Sequence, residues 1–433
     1  MKKHIFIWLF CMFVCYFCLY NTTFSQTLVN NGGNIVIREG AYLVIGGDYI
    51  NKSYGAIDGK INLDGNIILK RNWVNLANNE VLVSIGAGTV GHVILNGTSK
   101  QYIEGTNPTI FENLILDNYK KILKVADCKI NDTLTVNAQL LLNANNIRIL
   151  NRFPSAIQYK SGCIISETNT NEGLGLVDWY IGSEVNGYTV PFGSGFDNTA
   201  DLEVTVVTKT AASPDNGMIR FGTYPTPCQN VPFPPGVNEL DRSYEYIADR
   251  FWYINPVYYQ TKPDVGIILK YTPQDINESC NAGIVEIEMK AIRHNTLQHT
   301  WSDMSPRGNI NTDEHKVYID SISADDFYAP WCLVEEVVNW EIYFPSAFTP
   351  NGDGLNEFFV PIGMNLDKLK LNMFIYNRWG NLVYIMDDIN KPWDGRTGNS
   401  DKICPEGVYA WILFLTDKEG MEYNYKGVVT LIQ

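Results

Sequence analysis

A surplus of cations is what this 433-residue chain most clearly lacks: 33 Lys and Arg face 47 Asp and Glu, for a formal net charge of −14. Such a chain repels phosphate backbones, and no basic stripe interrupts it, so nucleic acid is excluded as a partner. Histidine is scarce, with His92, His294, His299 and His315 beyond the N-terminal leader, and no HExxH or i, i+4 histidine pair. No GxSxG elbow occurs, and no serine has a visible His and Asp entourage. The absence of any CxxC pair removes the commonest zinc spacing. Helix start and stop signals are missing from the first third of the chain.

Long apolar runs are lacking too. The longest, Ile5 to Tyr20, falls short of the roughly 20 residues that cross a bilayer. It follows Lys2 and Lys3 and ends in Thr23-Phe24-Ser25 before Gln26, the pattern of a secretory signal peptide (1–25) cleaved between Ser25 and Gln26. Cys11, Cys15 and Cys18 leave with it. The six remaining cysteines, Cys128, Cys163, Cys228, Cys280, Cys332 and Cys404, allow 15 disulfide pairings in an exported chain, so connectivity is not deducible. Buried thiols or stapling bridges account for them better than redox chemistry.

What is abundant is alternation. In INLDGNIIL, Ile61, Leu63, Ile67 and Leu69 fall on one face and Asn62, Asp64 and Asn66 on the other, a period of two and hence a strand. The same phrase returns at Val93 and Leu95, Leu114 and Leu116, Leu134 and Val136, Leu140 and Leu142, and Ile147 and Ile149. These strands are too closely spaced for immunoglobulin-like modules and suit a β-solenoid over 26–173, with coils of roughly twenty residues. Twenty asparagines between Thr27 and Asn151 fit stacked coil corners, although solvated hairpin turns explain them as well. Beyond residue 173 the strands lengthen and aromatics increase, which predicts a β-sandwich over 174–337 interrupted by the proline-rich connection YPTPCQNVPFPPGVN. Its aromatics are the usual stuff of cores before they are a sugar platform. The class is all-β.

The last ninety residues carry separate motifs. FPSAFTPNGDGLNEFF holds Asn351, Gly352, Asp353, Gly354, Asn356 and Glu357; then come Asn377-Arg378-Trp379-Gly380, Trp393-Asp394-Gly395, and Gly407 followed by Tyr409. Asn351, Asp353, Asn356 and Glu357 are oxygen donors at a spacing that suits calcium, while Asn-Gly and Asp-Gly also make a plain tight turn. The first EF-hand requirement fails at Leu355, and no flanking helix pair exists. Alternating strands between the motifs predict a compact sandwich that stands as its own domain.

The order and spacing of these motifs resemble the gliding-motility-associated C-terminal domain, the type B sorting domain of the Bacteroidetes type IX secretion system, over residues 341–433. The resemblance implies an immunoglobulin-like fold that serves as an export address, read in the periplasm and handed to the outer-membrane translocon and its adaptor. Gln433 stands where the family often ends in Arg. VILNGTSKQYIEGTNPTIFENLILDN, residues 93–118, resembles asparagine-rich solenoids of exported Bacteroidetes proteins. Arg250-Phe251-Trp252, Tyr271-Thr272 and Phe327-Tyr328-Ala329 resemble the sandwich that follows them.

For the cargo, a secreted or surface-displayed adhesin or scaffold without catalysis is the expectation, with a glycan or protein ligand. The alternatives are a β-helix polysaccharide lyase or hydrolase, or a carbohydrate-binding module. The one mixed charge cluster that elimination chemistry would need joins Asp117, Asp127 and Asp132 to Lys120, Lys121, Lys124 and Lys129, and it reads more simply as a solvated edge. Asp325-Asp326 and Asp387-Asp388 read as turn residues.

Overall fold

The structure, a computed structural model, describes residues 26–433 apart from 84–90, 167–173, 196–198, 228–229, 235, 239–243, 278–283, 296–297, 304–308, 337–339, 399, 401 and 418–420. The leader, Cys228 and Cys280 therefore lie outside the described residues. Strands account for 52% of the chain and helices for 4%, and the N-terminal part is a β-solenoid of about five turns.

Parallel ladders build the solenoid. One runs through Leu28–Asn31, Tyr49–Tyr54, Trp73–Leu76, Gln101–Gly105, Lys121–Leu123, Gln139–Leu141 and Cys163–Ile165. A second passes from Asn34–Ile37 through Lys60–Leu63 and Val81–Val83 to Thr109–Leu116, and a third reaches the same strand from Tyr42–Ile45 through Asn66–Leu69 and His92–Leu95. The period-two alternation sets which side chains enter. Ile45, Leu69, Leu95, Leu116 and Val136 stand directly above one another and are buried. One position earlier, Val44, Ile68, Ile94, Ile115 and Thr135 form an outward column. Each fully buried Leu or Ile in the inner columns contributes on the order of 2 kcal/mol.

Asparagines stack within the coils as well as at their corners. Asn30, Asn51 and Asn75 are in register and buried. The Asn51 amide donates to the Asn75 side-chain oxygen at 3.5 Å and to the Gly59 carbonyl at 3.0 Å, and the Asn75 amide donates to the Pro108 carbonyl at 2.8 Å. Corner carbonyls have no ladder partner, and a buried one left open is costly, so an amide side chain at each coil is a structural requirement.

The sequence reading separates solenoid from sandwich at residue 173; the structure joins them. Val177–Trp179 pairs in parallel with the solenoid strand Ile147–Ile149 on one side and antiparallel with Met218–Pro225 on the other, so one sheet of 16 strands crosses the expected boundary. A buried charge marks this seam: Asp178 takes the Arg220 guanidinium at 3.0 Å, and burial pushes its carboxyl up. The five-stranded antiparallel sheet from Gly187–Val190 to Asn309–Asn311 buries Val204, Val206, Ile267 and Leu269 in the same core as Trp252 and Ile254. The aromatic phrases are structural. Arg250 reaches Asp275 at 2.9 Å, both buried, and Asp275 also accepts the Thr272 amide and hydroxyl; Arg293 lies 4.9 Å from the Tyr328 ring centroid. One compact unit thus extends to Glu336, and Val337–Gln433 is a second.

In the second unit a five-stranded sheet has the order Ala347–Phe348, Glu422–Leu431, Gly407–Thr416, Lys370–Tyr376, Leu382–Met386. Its inner side chains, among them Leu371, Met373, Ile375, Trp411 and Leu413, pack with Phe359 and Trp393 from connecting segments. Where the immunoglobulin-like expectation puts a second full sheet, the described residues supply the ribbon Glu341–Tyr343 with Ile362–Met364 and a bridge between Phe359 and Trp393.

Candidate functional site

The expected site residues of the C-terminal unit fall into two groups. The first is the loop 349–357, which is closed on itself. Glu357 accepts the Gly352 amide at 3.0 Å and the Gly354 amide at 2.9 Å; Asp353 accepts the Leu355 amide at 2.7 Å; Asn351 accepts the Asp353 amide at 3.1 Å. Gly352 and Gly354 turn at φ +83° and +85° with open space around them, so conformation and not crowding demands glycine there. Asn356 also adopts positive φ, and its carbonyl accepts the Thr349 amide. Three carboxylate oxygens thus receive backbone N–H groups and the fourth, on Asp353, the Asn351 side-chain amide. This arrangement fits a side-chain-clamped turn. The chain should accordingly melt at the same temperature in calcium and in chelator, whereas Glu357→Ala, which frees two amides, should cost about 1 to 2 kcal/mol in either, by differential scanning calorimetry of the C-terminal transition. A calcium-dependent melting point would restore the metal.

The second group converges. Asn377 closes the turn after Lys370–Tyr376: its side-chain oxygen accepts the amides of Trp379 and Asn381, both at 3.0 Å, and Gly380 takes φ +80°. Trp393 is buried, donates its indole N–H to the Arg396 carbonyl at 2.7 Å, and meets the Tyr409 ring edge-on at 5.0 Å. Asp394 accepts the Arg396 amide, and Gly395 turns at φ +80° with Leu431 close over it. Tyr409 donates to the Pro405 carbonyl at 2.7 Å, and burial pushes its hydroxyl up to about 12. Gln433 is tied back through its side chain to the Cys404 carbonyl at 3.1 Å, while its amide reaches Glu406. The carboxamide at the chain end thus makes a neutral link to a carbonyl.

Between these segments lies a cleft of about 280 Å³ lined by Asn377, Arg378, Trp379, Gly407 and Tyr409 together with Lys402. Trp379 is 73% exposed. Sequence reasoning found the first five; Lys402, Ile403 and Cys404 belong to no motif, and the bridge between Arg396 and Ile403, with the Thr397 amide donating to the Lys402 carbonyl, brings them here.

Elsewhere the candidates disperse into structural roles. Lys121 is buried and donates to the carbonyls of Asp117 and Tyr119 at 2.6 and 2.5 Å; Lys129 pairs with Glu80 at 2.7 Å, and Lys124 with Glu104 at 3.6 Å. Asp127 holds Arg148 at 2.7 Å and Asp132 accepts the Asn151 amide, so the mixed cluster is divided among separate partners. Asp326 binds Arg293, and Asp388 accepts the Asn390 amide. His315 faces Glu286 at 2.9 Å. Cys128, Cys332 and Cys404 are buried thiols outside any disulfide, and Cys163 is also buried. Among the described residues no three His, Cys, Asp or Glu side chains gather as metal ligands.

Lys121 carries a pH signature. Burial lowers its ammonium to about 8 from an ordinary value of 10.5. The unfolded chain keeps that proton to higher pH than the folded one, so this group's contribution to stability rises with pH between those two values. Lys121→Met removes the dependence. Denaturant unfolding at pH 7 and pH 10 should show the wild type gaining about 2 kcal/mol on the variant over that interval. A pH-independent difference would mean the lysine is solvated.

No curated protein matches the chain. Residues 342–431, nearly the whole of the second unit, match the CHU_C type IX secretion signal domain, a signal that implies export by the type IX system to the cell surface or the exterior.

Proposed function

We propose that the passenger, residues 26–336, is a non-enzymatic surface scaffold or adhesin, and that the C-terminal unit engages a type IX translocon and its outer-membrane adaptor in a Bacteroidetes-type envelope. In this reading the leader directs the first crossing and residues 342–431 the second. The observation that carries the scaffold reading is the outward column Val44, Ile68, Ile94 and Ile115, with Tyr42, Asn66 and His92 beside it in register. It is a flat face on a rigid ladder that offers apolar and amide groups at regular intervals. A face of this kind suits an extended glycan or a protein ligand at the cell surface. Full-length protein incubated with a glycan array and with immobilised matrix proteins should show a ligand whose binding is lost in Ile68→Glu/Ile94→Glu. If the double substitution leaves every interaction intact, this face is not the ligand surface. Turnover of an acidic polysaccharide would instead select the lyase alternative.

A further inference from the structure

We infer that the cleft between the Asn377–Asn381 turn and the 402–409 segment reads a carboxylate, and that its ligand is an acidic peptide segment of the export machinery; the inference rests on the sorting role proposed above. Charge is the first observation. Arg378 and Lys402 both line the cleft, no Asp or Glu among the described residues does, and the chain as a whole is acidic. Among the described residues neither cation is within ion-pair distance of a carboxylate.

Geometry is the second. Trp393 and Trp411 of the same unit are 0% and 4% exposed, so Trp379 at 73% serves no core. The Arg378 guanidinium lies 5.3 Å from its ring centroid, which holds the fork in place while leaving its N–H groups open. Gly407, 29 positions along the chain, adopts φ +144°, and a Cβ there would come within 3.1 Å of the Arg378 Nη2. That φ calls for glycine in its own right, and the same glycine leaves the guanidinium its room. Arg378, Trp379 and Gly407, which packing alone does not explain, meet at one point.

The chemistry then selects the ligand. A planar guanidinium fork takes a carboxylate in two parallel hydrogen bonds, and Lys402 adds a second positive charge. Ile403, Pro405 and Val408 wall the same cleft and give apolar contact to the residues that flank the acid, which a free phosphate would leave unused. An exposed tryptophan beside an arginine is the composition of an interface hot spot.

The test uses the full chain and a fluorescent peptide of alternating Glu and Phe, with a Gln and Phe peptide as control. The acidic peptide should bind about tenfold or more tightly than the control, weaken with salt, and lose about tenfold in Arg378→Glu/Lys402→Glu. Trp379→Ala should weaken both peptides. In a type IX-competent host the charge-reversed chain should fail to reach the exterior while keeping its melting temperature. If the reversal unfolds the domain, Arg378→Gln removes the charge and leaves a neutral polar side chain in its place. Equal binding of the two peptides, or normal export of the charge-reversed chain, overturns the inference. So does binding of phosphatidylglycerol vesicles or inorganic phosphate without peptide binding. Export that survives deletion of 341–433 fails the sorting role itself, whereas export lost on deletion but normal in the charge reversal fails only the cleft.

Discussion

A chain ended after residue 340 is expected to remain inside the cell envelope, folded, while the full chain reaches the surface or the medium. Two structural facts make this an informative deletion. The buried apolar clusters of the first unit end at Leu333 and Val334, and the core of the second is built from Phe348 to Leu431, with no residue in common. Each unit thus has an apolar core of its own, and the passenger should keep its cooperative unfolding. Fractionation of a type IX-competent host with immunodetection of the passenger reads the outcome. Arrival of the truncated chain at the surface would mean the signal domain is dispensable. A misfolded, degraded passenger would mean that the two cores are not independent.

The second large effect lies inside the solenoid. Leu116→Asp puts a carboxylate into the inner column between Leu95 and Val136, all fully buried, with apolar neighbours above and below. An uncompensated buried polar group costs several kcal/mol, and a parallel ladder has no way to turn one strand over without reversing the whole coil. Ile115→Asp, one residue earlier, changes a half-buried outward position and should cost about 1 kcal/mol or less. Thermal melts of the two full-length variants, recorded side by side, decide the register. Equal destabilisation would refute it.

Much of this was legible from alternation alone. Every inward residue named from the strands of the solenoid, Ile61 and Leu63 through Ile147 and Ile149, points into the core, because a period of two admits one choice of face once the apolar set is given. The seam at 177–179 was not legible. A solenoid strand and a sandwich strand share the same local pattern, and whether Val177–Trp179 ends one domain or begins another depends on partners at Ile147 and Phe221, which local sequence does not record. Buried polar groups were hidden for a similar reason. Lys121 sits among three other lysines, and nothing in the order of residues says which one turns inward to its own corner carbonyls. At the C-terminal unit the motifs were visible and their neighbours were not. Asn377 to Gly380 are consecutive, whereas Lys402 joins them across a loop. The donor pattern at Asn351 to Glu357 fits two chemistries until the directions of the amides are known, and those directions favour the turn.

The handover at Val177 gives the solenoid a direction of growth. Its last coil is committed to one antiparallel neighbour, Phe221 and the residues around it, while the coils before it repeat a single parallel rule. Duplicating one internal coil would add about 4.8 Å to the ladder and leave the junction with the sandwich untouched. The same insertion at the junction would break the pairing on both sides. The length of the solenoid is thus an adjustable property of this protein, set by the number of coils, and a lineage can tune it without altering either the seam or the address that exports it.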